Sequence, residues 1–277
     1  MIGAIAGDVI GSAYEGAAPL EKDFVLLGAA SRFTDDTVLT VAVAHALRTG
    51  ADYATALRQW GMRYPAAGYG GMFLEWLDAA EPKPYGSFGN GSAMRVSAVG
   101  WAHSGLESVL REAERSAAVT HDHPEGVRGA CATAAAVFAA RHGATKDQLR
   151  ELFTGTFGYD CSETVAQRWV RGGFDVTCQG TVPAAMVAVL ESCSFVDAVR
   201  NAVSMGGDTD TTACIAGAIA EALYGGVPAD LALAVLARLD APLLVEVVTF
   251  ATLHGIALPP ELDPRGPLWR DVRPPDP

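Results

Sequence analysis

The chain has no C-x-x-C pair among its five cysteines, no surplus of positive charge, no Ser/Gly linker, and no apolar run of about 18 residues. Each absence excludes something. Unpaired cysteine spacing argues against a disulfide framework or a thiolate zinc site and for reduced thiols in a cytoplasmic protein. Lys and Arg number 20 against 32 Asp and Glu, a net charge of −12, which argues against nucleic-acid binding through a broad basic surface. The N-terminus has no basic region, and Asp8 interrupts its apolar start, so neither a signal peptide nor a membrane span is expected. Without a linker or charge run to divide it, residues 1–258 are expected to form one catalytic domain. The proline-punctuated stretch 259–277 is expected to be an extended or poorly ordered tail.

What is present is apolar and rich in alanine. Half the residues are hydrophobic, ample for a core, and alanine favours helix. Long segments bounded by Gly or Pro predict helices over 38–47, 126–141, 183–190, 211–223 and 229–239. Strict alternation is scarce, and the β-branched run 245–250 fits helix as well as strand. The expectation is an all-α fold, with loops around short helices over 61–92.

Two acidic clusters stand out: Phe33-Thr34-Asp35-Asp36-Thr37 and Gly206-Gly207-Asp208-Thr209-Asp210-Thr211-Thr212, each running into an apolar helical stretch. Ordinary N-capping explains one or two oxygens per cluster, and each offers at least four. Carboxylates crowded into a hydrophobic chain repel one another and are costly to desolvate, which one or two divalent cations would remedy. The donors are all oxygen, favouring Mg²⁺, Mn²⁺ or Ca²⁺ over zinc.

Between and around the clusters lie three further features. Gly3, Gly7 and Gly11 make one helical stripe without side chains, where another helix or a ligand can approach. Asp8, Ser12 and Glu15 are spaced to share a polar face of that helix, either solvated or turned to a site, and Glu15 before Gly16 is a candidate acid or base. Tyr85-Gly86-Ser87-Phe88-Gly89-Asn90-Gly91-Ser92-Ala93-Met94-Arg95 lacks the Gly-Lys-Ser/Thr of a Walker loop, yet it has the ingredients of an anion cradle. As an isolated string it reads equally well as a structural turn. Thr120-His121-Asp122-His123-Pro124-Glu125-Gly126 has no third His or Cys, so ligand hydrogen bonding or helix capping suits it better than zinc.

In this order, these pieces resemble the ADP-ribosylglycohydrolase family over roughly residues 1–226: Gly7-Asp8-x-x-Gly11-Ser12-x-x-Glu15, the two acidic clusters, the glycine-rich loop through Arg95, and the Thr120-His121 segment. The resemblance implies a compact, all-helical orthogonal bundle with a binuclear Mg²⁺ (or Mn²⁺) centre. The matching metal ligands are Thr34, Asp35, Asp36, Asp208, Asp210 and Thr211. It implies that Gly86, Ser87, Phe88, Asn90, Gly91 and His121 bind ADP-ribose. Glu15 matches the glutamate acting beside the metals, with Asp35 and Asp208 as further catalytic groups orienting water. The implied reaction is hydrolysis of the bond between C1″ of the distal ribose and an acceptor, whether a Ser or Arg side chain or a small ADP-ribosyl conjugate, with ADP-ribose as product. The acidic clusters alone fit a two-metal hydrolase of a phosphate ester or pyrophosphate equally well, and a non-catalytic ADP-ribose-binding relative is the third reading.

Overall fold

The structure, a computed structural model, describes residues 1–263; the rest of the expected tail lies outside the described residues. Fifteen α-helices follow one another among the described residues: α1 (Ile2–Gly11), α2 (Asp35–Thr49), α3 (Tyr53–Arg63), α4 (Gly71–Asp78), α5 (Gly91–Met94), α6 (Ser97–Ala102), α7 (Leu106–Ala118), α8 (Pro124–Arg141), α9 (Lys146–Glu151), α10 (Val165–Arg171), α11 (Cys178–Leu190), α12 (Phe195–Ser204), α13 (Thr209–Tyr224), α14 (Ala229–Leu236) and α15 (Ala241–His254). The only strand-like pairing among them is an isolated bridge between Gly89 and Thr177. The fold is all-α, and among the described residues no helix is long and apolar enough to cross a membrane.

Every expected helix is present, with shifted ends. α11 begins at Cys178 rather than Pro183, because Thr177 caps it by accepting from the Gly180 amide. Pro183 therefore sits inside the helix, at the cost of one backbone bond. α14 stops at Leu236, short of 239, where the chain turns so that Asp240 can cap α15. The tail also departs from expectation: Pro260–Leu262 forms a 3₁₀ turn, and Leu262 is buried.

α13 is the axis of the molecule. Nearly its whole length is buried, and α1, α5, α8, α11 and α12 all pack on it. The glycine stripe of α1 explains the closest of these contacts. A Cβ at Gly7 would lie 1.9 Å from the Ala213 carbonyl oxygen, and one at Gly3 2.3 Å from that of Gly217. Neither distance is physically possible, so the two backbones touch only because glycine stands there. This contact lays the C-terminal end of α1 against the start of α13, where Thr209 Oγ1 donates to the Gly11 carbonyl at 2.8 Å.

Candidate active site

The starts of α2 and α13 converge beside the end of α1. Both helices present N-termini there, and so the positive ends of their dipoles. Thr34 caps α2, accepting weakly from the Asp36 amide at 3.3 Å. Capping therefore occupies Thr34 and leaves the Asp35 and Asp36 carboxylates for other work. At α13 Asp208 stands in the cap position without a side-chain cap bond. The clusters touch where Thr211 Oγ1 donates to Asp36 Oδ2 at 3.3 Å.

Glu15 is not on α1. The helix ends at Gly11, and the chain turns so that Gly16 N donates to Gly207 O at 2.8 Å while Gly207 N donates to Ala17 O at 3.0 Å. Gly206 and Gly207 both have positive φ (73° and 76°), and a Cβ on Gly207 would lie 2.2 Å from the Gly173 carbonyl oxygen. Only glycine allows this double turn. It brings an exposed Glu15 within 4.8 Å, carboxylate oxygen to carboxylate oxygen, of both Asp208 and Asp210.

Asp8 is the residue whose importance the sequence pattern understated. The polar face expected for Asp8 and Ser12 is neither solvated nor turned into the cleft: both residues are buried. Asp8 Oδ2 accepts from the amides of Thr34 (3.0 Å) and Thr37 (3.1 Å) and from the Thr37 hydroxyl, and Oδ1 accepts from Thr34 Oγ1 at 2.7 Å. It clamps the first turn of α2 to α1. Ser12 similarly holds the approach to that turn, donating to the Arg32 carbonyl at 2.7 Å.

The electrostatics are one-sided. Burial first, then repulsion from Asp210, raises the Asp8 carboxyl to about 7. Burial and then Asp8 raise half-buried Asp35 to about 8. Asp36 and Asp208 are pushed well above the usual carboxylate range, by burial and then Asp210. Glu15 is raised chiefly by Asp210 and secondly by burial, with Arg32 opposing. Among the described residues none of these carboxylates has a Lys, Arg or His partner. Asp36 Oδ1 is buried without any hydrogen-bond partner. Hard oxygen donors, mutual repulsion and an orphaned buried oxygen fit a divalent cation.

The cluster lines one end of a cleft of about 360 Å³. Ser87, Gly89, Asn90, Gly91 and His121 form another wall, and Gly68 to Phe73 a third. The loop is pinned to the segment before α11 by Asn90 N to Val176 O (2.8 Å) and Cys178 N to Phe88 O (2.9 Å). Asn90 joins loop to cluster, its Nδ2 donating to Asp208 Oδ2 at 2.6 Å and to Thr181 Oγ1 at 3.0 Å. His123 caps α8 through Nδ1, as its place before Pro124 suggests.

Three predicted residues stand apart from the cleft wall. Thr34 is buried beneath it. Gly86 donates its amide to Asp122, and exposed Phe88 lies against His123 with ring centroids 5.4 Å apart. Phe174 and Val176, which no sequence signal singled out, supply exposed apolar surface in the cleft instead. A larger cavity of about 710 Å³ adjoins it through Phe174 and Asp208, but holds only Asp208 of the predicted residues. The chemistry is concentrated in the smaller cleft.

Comparison with known proteins was consistent across sequence and structure. The family model described as ADP-ribosylglycohydrolase matches residues 1–254. ADP-ribosylhydrolase ARH3 of Mus musculus is 27% identical over 305 residues, covering 81% of this chain and 82% of its own. ADP-ribosylarginine hydrolase Tri1 of Pseudomonas putida (strain GB-1) is 27% identical over 271 residues, covering 83% and 71%. A solved structure described as an ADP-ribosylglycohydrolase-related protein complex superposes with a TM-score of 0.69 at 25% identity, covering 93% of this chain and 97% of its own.

Proposed function

The chain belongs to the ADP-ribosylglycohydrolase family, and from that premise we propose that it is an ADP-ribosyl hydrolase. It cleaves the bond between C1″ of the distal ribose and an acceptor, a Ser or Arg side chain or a small conjugate, and releases ADP-ribose. One observation carries the reading: a carboxylate cluster that forms no ion pair among the described residues lies at one end of a cleft walled by a glycine-rich loop. The names of the relatives, ADP-ribosylhydrolase and ADP-ribosylarginine hydrolase, support the same reaction. Residues 1–258 act as one domain in this reading, supported by the family match and by one contiguous core. A cytoplasmic setting suits the five free thiols.

Two divalent cations, Mg²⁺ or Mn²⁺, would be held by Asp35, Asp36, Asp208, Asp210 and Thr211. Thr34 joins them with the lone pair left after its bonds to Asp8 and Asp36. Such ions, when bound, supply Lewis-acid polarisation and seat neighbouring hydroxyls of a ribose. The chain's own groups do the rest. Asn90 fixes Asp208 by one oxygen, leaving the other to orient water or metal, and Asp35 faces the cleft from the opposite helix. Glu15, exposed and within 4.8 Å of Asp208 and Asp210, carries the proton as the acid assisting the leaving group. The His121 ring and the loop's free amides receive the diphosphate, while the amides of Gly86, Gly89 and Asn90, taken by Asp122, Ser87 and Val176, hold the loop in shape.

The test is product analysis. The protein is incubated with serine-linked and arginine-linked ADP-ribosyl peptides in Mg²⁺, then in EDTA. Intact ADP-ribose released only with Mg²⁺ is the expected result, and the preferred peptide identifies the acceptor. AMP as product would transfer the cleft to pyrophosphate hydrolysis. No product from either peptide would exclude those two acceptors, and no product from a small conjugate such as O-acetyl-ADP-ribose as well would overturn the proposal.

A further inference from the structure

Arg95 is fully buried, yet it has no carboxylate partner among the described residues. It sits directly behind the cleft and uses one nitrogen only: Nη2 donates to the Ser116 carbonyl and to Thr120 Oγ1, both at 2.8 Å, while Nε and Nη1 have no partner. A buried cation is costly, and the protein directs this one at a threonine hydroxyl. That hydroxyl lies 2.7 Å from His121 Nδ1. The guanidinium has hydrogens and no acceptor, so Thr120 Oγ1 accepts from Arg95 and its own proton is free for Nδ1. A cationic donor on the oxygen also polarises the O–H bond and strengthens it as a donor to Nδ1, whereas an Nδ1–H would compete with the guanidinium for the same oxygen.

The other face of the ring is open. Among the described residues Nε2 has no protein partner, and Gly91 stands where an ideal Cβ would come within 3.1 Å of it. His121 lines the cleft beside the glycine-rich loop. Burial and the neighbouring guanidinium hold the ring well below the usual histidine range, so it is neutral and has one proton to place.

We propose that Arg95, Thr120 and His121 form a relay that holds His121 as its Nε2–H tautomer, presenting a fixed donor to a phosphate oxygen of a nucleoside-diphosphate ligand. The inference rests on the reading of the cleft as an ADP-ribose site. The opposite tautomer would turn a lone pair toward the phosphate and repel it. Thr120 and Arg95 are positioning residues, acting on the ligand through His121.

Long-range ¹⁵N–¹H spectra of the imidazoles, with His121 assigned by loss of its signals in His121→Gln, read the tautomer directly in the full chain. The expected wild-type pattern is neutral Nε2–H, and Thr120→Val is expected to lose it while Thr120→Ser keeps it. In calorimetry with Mg²⁺ present, Thr120→Val should weaken ADP-ribose binding by roughly tenfold, the scale of one charge-assisted hydrogen bond. Adenosine, which has no phosphate, should bind both proteins equally. A wild-type ring protonated at Nδ1, or at both nitrogens at neutral pH, would overturn the relay even if the valine variant failed to fold. So would undiminished ADP-ribose affinity in a folded Thr120→Val protein. Failure of the wild-type protein to bind ADP-ribose would instead overturn the proposed function, and the relay would then stand or fall on the spectrum alone.

Discussion

Without divalent metal the protein should lose stability as pH rises through neutrality, against the usual behaviour of proteins whose carboxylates are paired. The reason is the acidic cluster. Asp8, fully buried, has its carboxyl raised from 3.8 to about 7. A folded state that holds a proton the unfolded chain has released binds more protons, so unfolding becomes easier as pH increases. The contribution is absent below the unfolded value, grows unfavourable from there, and levels off above the folded one. Asp35, raised to about 8, extends the window upward, but both share the same repulsion and are not summed. Between pH about 5.5, where ordinary carboxylates have finished titrating, and pH about 7, Asp8 alone accounts for roughly 2 kcal/mol. In a chain of this size that is a fall in Tm of about 3 °C. Mg²⁺ competes with those protons and supplies the missing positive charge, so its stabilisation should be small at the acid end and larger at pH about 8. Thermal melts across this range, in EDTA and in saturating Mg²⁺, measure both slopes. A metal-free Tm that is flat or rising, or a Mg²⁺ gain equal at both ends, would refute the electrostatic account.

Asp8→Asn offers one oxygen where four donors now share two, so it should destabilise the metal-free protein by about 2 kcal/mol in urea unfolding and also flatten the pH slope. Gly7→Ala drives a Cβ against the Ala213 carbonyl, and the helix-propensity gain of about 1 kcal/mol cannot offset separating two backbones. A loss of about 2–4 kcal/mol is expected, while Gly28→Ala, whose Cβ meets nothing within 4 Å, should be near neutral. Glu15→Gln should lower kcat at least about a hundredfold while the Tm gain from Mg²⁺ persists; full turnover would remove Glu15 from the acid/base role.

The sequence made the two acidic clusters visible because carboxylates and hydroxyls stand out against alanine, and it made α1's packing visible through the spacing of Gly3, Gly7 and Gly11. It did not reveal where α1 stops. Nothing in Ser12-Ala13-Tyr14-Glu15 forbids helix, and its regular spacing suggested continuation. The stop is tertiary. The Gly11 carbonyl, which a continuing helix would offer to the Glu15 amide, is taken by Thr209 Oγ1 and the Tyr14 amide, both at 2.8 Å. That competition depends on α13 lying against α1, which no local pattern encodes. The same limit hid the difference between Asp8 and Asp36, two aspartates in similar apolar, helical settings. Both Asp8 oxygens are consumed by protein donors, so this carboxylate is a strut joining α1 to α2. Asp36 accepts a long, 3.3 Å bond from Thr211 and, among the described residues, keeps Oδ1 buried and unpartnered. Such an oxygen is costly in a folded core unless a bound proton or a cation satisfies it. Hydrogen-bond accounting therefore separates the carboxylate that builds the site from the one left free to bind, and predicts that only the latter's geometry responds to a divalent ion.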